Sequence, residues 1–224
     1  MPAANRAFLS KREFVYATLR ADIMNGARAP GQRLVIDELA AELGVSPIPV
    51  REALQELQHD GLVAIEPYVG AHVTELDAEV IREVFALLES FEVISGQAAC
   101  QCMDDGEFQS METLLRTMDA HVDDLEQWSE DNVHLHQFIC DCAGMTLLPP
   151  MMQQVLDHWQ RLRRHYLEDV MACTVQKAQA EHWQLLAALR TRNPEHVAGV
   201  IHEHNQRALA TYITHLRKTG DVTL

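Results

Sequence analysis

Residues 39–54, Leu39-Ala40-Ala41-Glu42-Leu43-Gly44-Val45-Ser46-Pro47-Ile48-Pro49-Val50-Arg51-Glu52-Ala53-Leu54, constrain the fold more than any other stretch of the chain. Leu39, Ala40 and Leu43 share one face of a helix. Gly44 stands where a helix end takes a left-handed residue. Val45 plugs the turn, and Ser46 suits the N-cap of a second helix. Pro47 and Pro49 fall in the first turn of that helix, where a missing N–H costs little. Val50, Ala53, Leu54 and Leu57 continue its apolar face. Helix, short glycine-bearing turn and second helix make the helix-turn-helix layout, whose second helix enters the DNA major groove. A plain helical hairpin in an all-α protein shares the pattern, so the flanks must decide.

The flanks supply the missing parts. Arg12 to Asn25 reads as a helix, with Phe14, Val15, Ala17, Leu19, Ile23 and Met24 as its core side and Gly26 at its end. Ala29-Pro30-Gly31 is a turn, Arg33-Leu34-Val35 a short extended piece, and Asp37 a candidate cap for the next helix. After the Asp60-Gly61 stop, Leu62–Ile65 and Ala71–Val73 are apolar runs around the turn Glu66–Gly70, a hairpin with glycine at its tip. Three helices and a two-stranded wing predict a winged helix-turn-helix DNA-binding domain over residues 1–75, with Met1–Ser10 as a loose arm.

From residue 76 to 224 the pattern is helical throughout. Six helices are expected, roughly 77–102, 105–127, 129–143, 149–171, 174–192 and 195–218, with Asp77, Ser129, Thr174 and Asn193 as caps. Pro149-Pro150 and Pro194 mark helix starts, and Gly144 and Gly220 mark ends. The fold class is therefore mainly α: a winged helix-turn-helix followed by an antiparallel all-α helix bundle. Charge divides along the same boundary. Residues 1–74 carry seven Lys/Arg and nine Asp/Glu, so of the totals of 18 and 33 the remainder holds eleven and twenty-four. The first part lacks the basic excess of a strong nucleic-acid binder. No run of about 18 apolar residues suggests a membrane span, and Met1–Lys11 has no signal-peptide core. Five cysteines, an odd number without a secretion signal, fit reduced thiols in the cytoplasm. Cys100 and Cys102, like Cys140 and Cys142, are two residues apart on expected helices and so point to different sides; Cys173 stands alone.

Histidine is abundant, 12 residues, with all but two after residue 75. His182 lies eleven residues before Asn193 and His204 eleven after it. In an antiparallel hairpin turning at Asn193-Pro194 the two stand at one height, each about 16 Å from the turn. Leu185, Leu186 and Leu189 flank the first; Val197, Val200, Ile201 and Leu209 flank the second. Asn132 and His136 share one face of another helix at i, i+4. Three imidazoles and a carboxamide oxygen converging in a bundle suit a divalent metal such as zinc, nickel or manganese. Separate core histidines bonded to backbone are the competing explanation. His134 and His202 point elsewhere and are expected at the surface.

The chain resembles the GntR family of bacterial transcription regulators, in its FadR-like branch with an FCD ligand-binding domain. In the first domain the resemblance rests on Gly26, Pro30-Gly31-Gln32-Arg33-Leu34, Leu39-Ala40, Leu43-Gly44-Val45-Ser46, Pro49-Val50-Arg51-Glu52-Ala53-Leu54, Leu57, Gly61-Leu62-Val63, Pro67, Gly70-Ala71 and Val73. In the second it rests on Asn132, Leu135-His136, Glu181-His182 and His204. The resemblance implies a regulator, expected to be a repressor, that binds double-stranded operator DNA as a homodimer. It further implies a metal at Asn132, His136, His182 and His204, in a pocket for a small organic acid. Arg33, Ser46, Pro47, Ile48, Arg51 and Gly70 are the expected DNA-contacting positions. Four positions depart from the family pattern. Pro47 and Val69 stand where arginines are usual, Asn132 replaces an aspartate, and Ala86 stands where an arginine often faces the effector. A metal-dependent enzyme is a rival reading, but no Glu is placed as a general base in a His-Glu-x-x-His motif. A protein-interaction module with weakened DNA binding is the other.

Overall fold

Ser10 opens the first helix of the computed structural model, which describes residues 10–166, 170 and 174–219. The Ser10 hydroxyl accepts from the Glu13 N–H, and the Glu13 carboxylate accepts from the Ser10 N–H, a capping box. Helix α1 (Lys11–Met24) then buries Val15, Leu19 and Ile23 at four-residue spacing. Phe14, 44% exposed, and Ala17 lie outside that stripe, contrary to expectation, because Val15 and Leu19 already define the buried face. Helix α2 (Ile36–Leu43) ends at Gly44, whose φ of 65° is the left-handed value a side chain disfavours. Helix α3 (Pro47–His59) follows. Ser46 occupies its N-cap position with extended backbone, but its hydroxyl makes no capping bond. Val35 is the N-cap of α2, which puts Asp37 inside the first turn.

Strands β1 (Arg33–Leu34), β2 (Val63–Glu66) and β3 (Gly70–Val73) form an antiparallel sheet in the order β1-β3-β2. Arg33 pairs with His72 and Leu34 with Ala71, so the short extended piece is a third strand of the wing sheet. The core of this unit is apolar and includes Leu19, Leu39, Val50, Leu54, Leu57 and Val73.

The chain divides into two compact units, Met1–Glu75 and Leu76–Leu224. The second contains α4 (Ala78–Cys102), α5 (Asp105–Ala120), α6 (Leu125–Asp141), α7 (Leu148–His165), α8 (Val175–Arg190) and α9 (Pro194–Thr219). Asp77 caps α4 through the N–H groups of Glu79 and Val80, and Asn193 caps α9 through those of Glu195 and His196. The break between α5 and α6 falls earlier than the sequence suggests. Asp124 caps α6 by accepting from Gln127 N–H, and Ser129 is buried inside the helix. Thr174 gives α8 no cap; its hydroxyl donates to the Val170 carbonyl. Cys173, Gly220, most of the expected N-terminal arm and the far end of the expected helix 149–171 lie outside the described residues.

Two clusters fill the bundle, one around Met111, Leu115, Trp128 and Leu186, the other around Ile81, Phe85, Leu156 and Trp159. Helices α4 and α9 approach closely at Gly96. A Cβ there would stand 2.6 Å from Ile201 Cδ1 and 3.1 Å from Val197 Cγ1. Among the described residues no helix is long and apolar enough to cross a membrane.

Candidate metal centre

Helices α6, α8 and α9 each bring one imidazole to the same point in the bundle. His182 and His204 have ring centroids 5.0 Å apart, as the equal counts from the turn imply. His136 lies 5.5 Å from His182 and 5.9 Å from His204. One ligand nitrogen from each can be chosen so that all lie within 4.8 Å of one another. Nitrogens sharing a tetrahedral ion with bonds of about 2.1 Å are about 3.4 Å apart, so small side-chain rotations close the set. No cysteine joins this cluster among the described residues; Cys100 and Cys140 are buried thiols.

Carboxylates orient two of the three rings. His136 Nδ1 lies 2.6 Å from Glu92 Oε1, and His204 Nδ1 lies 2.7 Å from Glu181 Oε2. Each contact leaves the Nε2 side of its ring for a ligand, the arrangement that metal-binding histidines use. Glu92 accepts also from Asn205 Nδ2 at 2.6 Å, and Glu181 also pairs with Arg207. His182 is held differently, stacked on the Trp128 indole at 5.7 Å and 17°.

The electrostatics favour neutral rings at His182 and His204. Burial, then the neighbouring His204, His136 and Arg163, hold His182 well below its ordinary 6.5. Burial is also the main cause that lowers His204. A neutral ring offers the lone pair a metal needs. Burial alone would raise Glu92, but the adjacent His136, His204 and Asn205 outweigh it and hold the carboxyl low.

The polar atoms left over make the case for an occupant. His136 Nε2, both ring nitrogens of His182 and the Asn132 Oδ1 are buried with no hydrogen-bond partner among the described residues. Each such atom costs about 1–3 kcal/mol if nothing satisfies it. A divalent ion would satisfy His136 Nε2, Asn132 Oδ1 and one of the two His182 nitrogens, a ligand set that fits zinc, nickel or manganese.

Asn132 and His204 also line a cavity of about 260 Å³ with Trp128, Trp159, Arg163 and Tyr212. Ala86, where the sequence comparison looks for an effector-facing cation, is exposed on α4. The cavity takes its buried cation from α7 instead, as Arg163. Neither Glu92 nor Arg163 was among the expected site residues, yet both carry a signal. Glu92 falls in the core stripe Phe85, Leu88, Glu92, Ser95 and Ala99, and Arg163 in the stripe Met152, Leu156, Trp159 and Arg163. A charge at a stripe position must find a partner or a ligand.

In the winged unit Ser46, Pro47, Ile48 and Arg51 are exposed at the start of α3, with Ile48 at 67%. Arg33 and Arg51 have no acidic partner among the described residues, whereas Arg28 is bound to Asp22 and Glu42. Gly70, with φ of 106°, sits beside Arg33, whose Nε is 4.0 Å from where a Cβ would be. The wing tip carries Tyr68, fully exposed at φ 67°, and Val69, 54% exposed.

Comparison with known proteins accords with both halves. The model of the bacterial regulatory proteins of the gntR family matches residues 11–73, and that of the FCD domain residues 83–207. The chain belongs to the GntR family of helix-turn-helix regulators with an FCD ligand-binding domain, consistent with the FadR-like branch. It is 26% identical over 197 residues to the transcriptional regulator McbR of Escherichia coli K12, covering 86% of this chain and 88% of that one. It is 23% identical over 194 residues to the transcriptional repressor RspR of the same strain, covering 86% and 84%. The solved structure of E. coli McbR/YncC shares the fold, with a TM-score of 0.73 at 23% identity over 92% of this chain and 99% of that one. Family and fold are those of non-catalytic transcriptional regulators, which leaves the enzyme reading without support.

Proposed function

We propose that this DNA-binding regulator is a homodimeric repressor whose hold on its operator is set by a small organic acid bound beside a metal in the helical unit. The convergence of His136, His182 and His204 beside a cavity carries this reading. His136, His182 and His204 would hold the ion, with Asn132 supplying its amide oxygen. When bound, the ion supplies a positive charge and an open coordination position at the cavity wall. Glu92 and Glu181 keep the Nδ1 sides of His136 and His204 engaged, so that the opposite nitrogens face the ion. Zinc, nickel and manganese all suit three imidazoles and one neutral oxygen.

In the winged unit, residues 1–75, Ser46, Pro47 and Ile48 would meet base edges. Arg51 would reach a base or phosphate and Arg33 a phosphate, while Gly70 lets the wing approach a minor groove. With Pro47 and Val69 in place of arginines, each protomer releases few counterions and binds with a shallow salt dependence. The helical unit, residues 76–224, would carry dimerisation, and acid binding would shift the dimer between DNA-competent and incompetent populations. The likeness to RspR, named a repressor, supports the sign of regulation.

The test is metal analysis of the purified protein, followed by anisotropy titration on its own upstream DNA with and without added acids. About one ion per chain, lost in His182→Ala, and operator binding weakened by an acid are expected. A metal-free protein that takes up none of the three ions would overturn the metal centre. DNA binding unmoved by Arg51→Ala would overturn the recognition-helix assignment.

A further inference from the structure

Arg163 is the one fully buried cation lining the bundle cavity, among the described residues, and it is only partly bonded. Its Nη1 donates to the Ser129 carbonyl at 2.8 Å, which fixes the plane of the guanidinium. Its Nε and Nη2 have no hydrogen-bond partner among the described residues. Those two atoms share one edge of the guanidinium, the edge whose parallel N–H bonds match the two oxygens of a carboxylate. The Trp159 and Trp128 indoles flank the charge at 4.6 and 5.2 Å. Such contacts attract the cation but satisfy no N–H. Two more donors lining the cavity, Trp159 Nε1 and the Tyr212 hydroxyl, are buried and have no partner among the described residues either. Burial draws Arg163 down to about 10, which leaves it charged at neutral pH.

A buried charge with no counter-ion among the described residues is retained at a cost in stability. The free edge, the fixed plane and the neighbouring donors all answer to one missing group. We propose that the Nε/Nη2 edge of Arg163 grips the carboxylate of a small monocarboxylic acid, with Trp159 Nε1 and Tyr212 completing its hydrogen bonds. This deepens the reading above and rests on it, since it takes the same cavity as the effector site. It assigns the anion clamp to α7 and separates the acid's anchor from the metal. The walls select for an acid with a compact, mainly apolar body, because Val170, Ala178 and Ala208 face the same space. At about 260 Å³ the cavity is smaller than a drug-sized site.

The experiment uses the full chain, metal-loaded and chelator-treated, titrated with acetate, butyrate and benzoate. Tryptophan fluorescence and calorimetry are the readouts, since two of the three tryptophans line the cavity. At least one acid should bind both forms, and its neutral amide should not. Arg163→Met should weaken that acid about 100-fold, the loss of a charge-assisted bidentate contact. Arg163→Lys, which keeps the charge but not the fork, should fall between. Zinc titration of Arg163→Met should match wild type, so that loss of the acid is not loss of the metal centre. Arg163→Met should also melt no lower than wild type without acid, whereas removal of a purely structural arginine would lower the melting point. Binding of none of the three acids, binding that needs the metal and ignores Arg163→Met, or a lowered melting point in Arg163→Met with acid affinity intact would each overturn the clamp. Failure of zinc uptake in wild type would instead strike the metal centre alone.

Discussion

The two units of the chain place their polar residues in opposite ways. In the winged unit the core is Val15, Leu19, Leu39, Val50, Leu54, Leu57 and their neighbours, and the side chains proposed for DNA stand in solvent. In the bundle Glu92, Asn132, His136, Arg163, Glu181, His182 and Asn205 are all buried. Every buried polar or charged side chain among the described residues belongs to the bundle. A surface that reads DNA can therefore change with little consequence for folding. A buried ligand site cannot, because each polar atom left unpaired subtracts from stability. On the proposed assignments, the first unit keeps fold and recognition on separate residues, and the second builds fold and ligand site from the same ones.

The comparison breaks most visibly if a core defect in one unit spreads to the other. Leu54, 1% exposed, packs in the centre of the winged unit. Leu54→Ala should cost that unit about 3 kcal/mol and abolish operator binding. Calorimetric zinc uptake by the bundle should be unchanged; a parallel loss of uptake would show the units to be one cooperative body. Next in size is Glu181→Gln, which strips His204 of its orienting carboxylate. Metal affinity should fall about 10–100-fold, measured by competition with a chromophoric chelator. Operator affinity of the metal-free protein should stay as in wild type.

Acid sharpens the contrast further. An unfolded histidine titrates near 6.5, while buried His182 and half-buried His204 lie below it. In that window the unfolded chain holds more protons than the native one, so stability rises with pH. The metal-free bundle should be fully stable above about pH 6.5 and lose stability as pH falls below it. Melting curves of His182→Leu should show a shallower decline. The smallest expected effect is on the exposed wing. Val69→Arg should steepen the log–log salt dependence of operator binding by about 0.9 per protomer, with the melting point unmoved.

Much of this was legible in residue order. Gly44 and the apolar spacing around it announce the helix-turn-helix, because turn chemistry and helix period are local. The meeting of His182 with His204 follows from equal counts on either side of Asn193, since an antiparallel hairpin converts sequence distance into height. What failed was also local in cause. Ser129 looked like a cap but Asp124 does the capping, and several polar residues near a helix start compete for that position. Phe14 looked like core but its neighbour Val15 sets the buried face. The partners of the histidines were harder to foresee. Glu92 is 44 residues before His136 by subtraction of their numbers, and only the packing of α4 against α6 brings them together. Its place in an apolar stripe signals a buried charge without saying what it meets.

That carboxylate has a mechanical meaning. Glu92 bonds Asn205 on α9 and meets His136 on α6, and one turn further along α4 the helix packs closely on Ile201 and Val197 of α9 at Gly96. One side chain bonded to two neighbouring helices ties the positions of all three. The chain enters α4 at Ala78 after leaving the wing strand at Val73, with only residues 74–77 between. On the proposed reading, a shift of His136 or α9 on ligand binding would be felt first at α4.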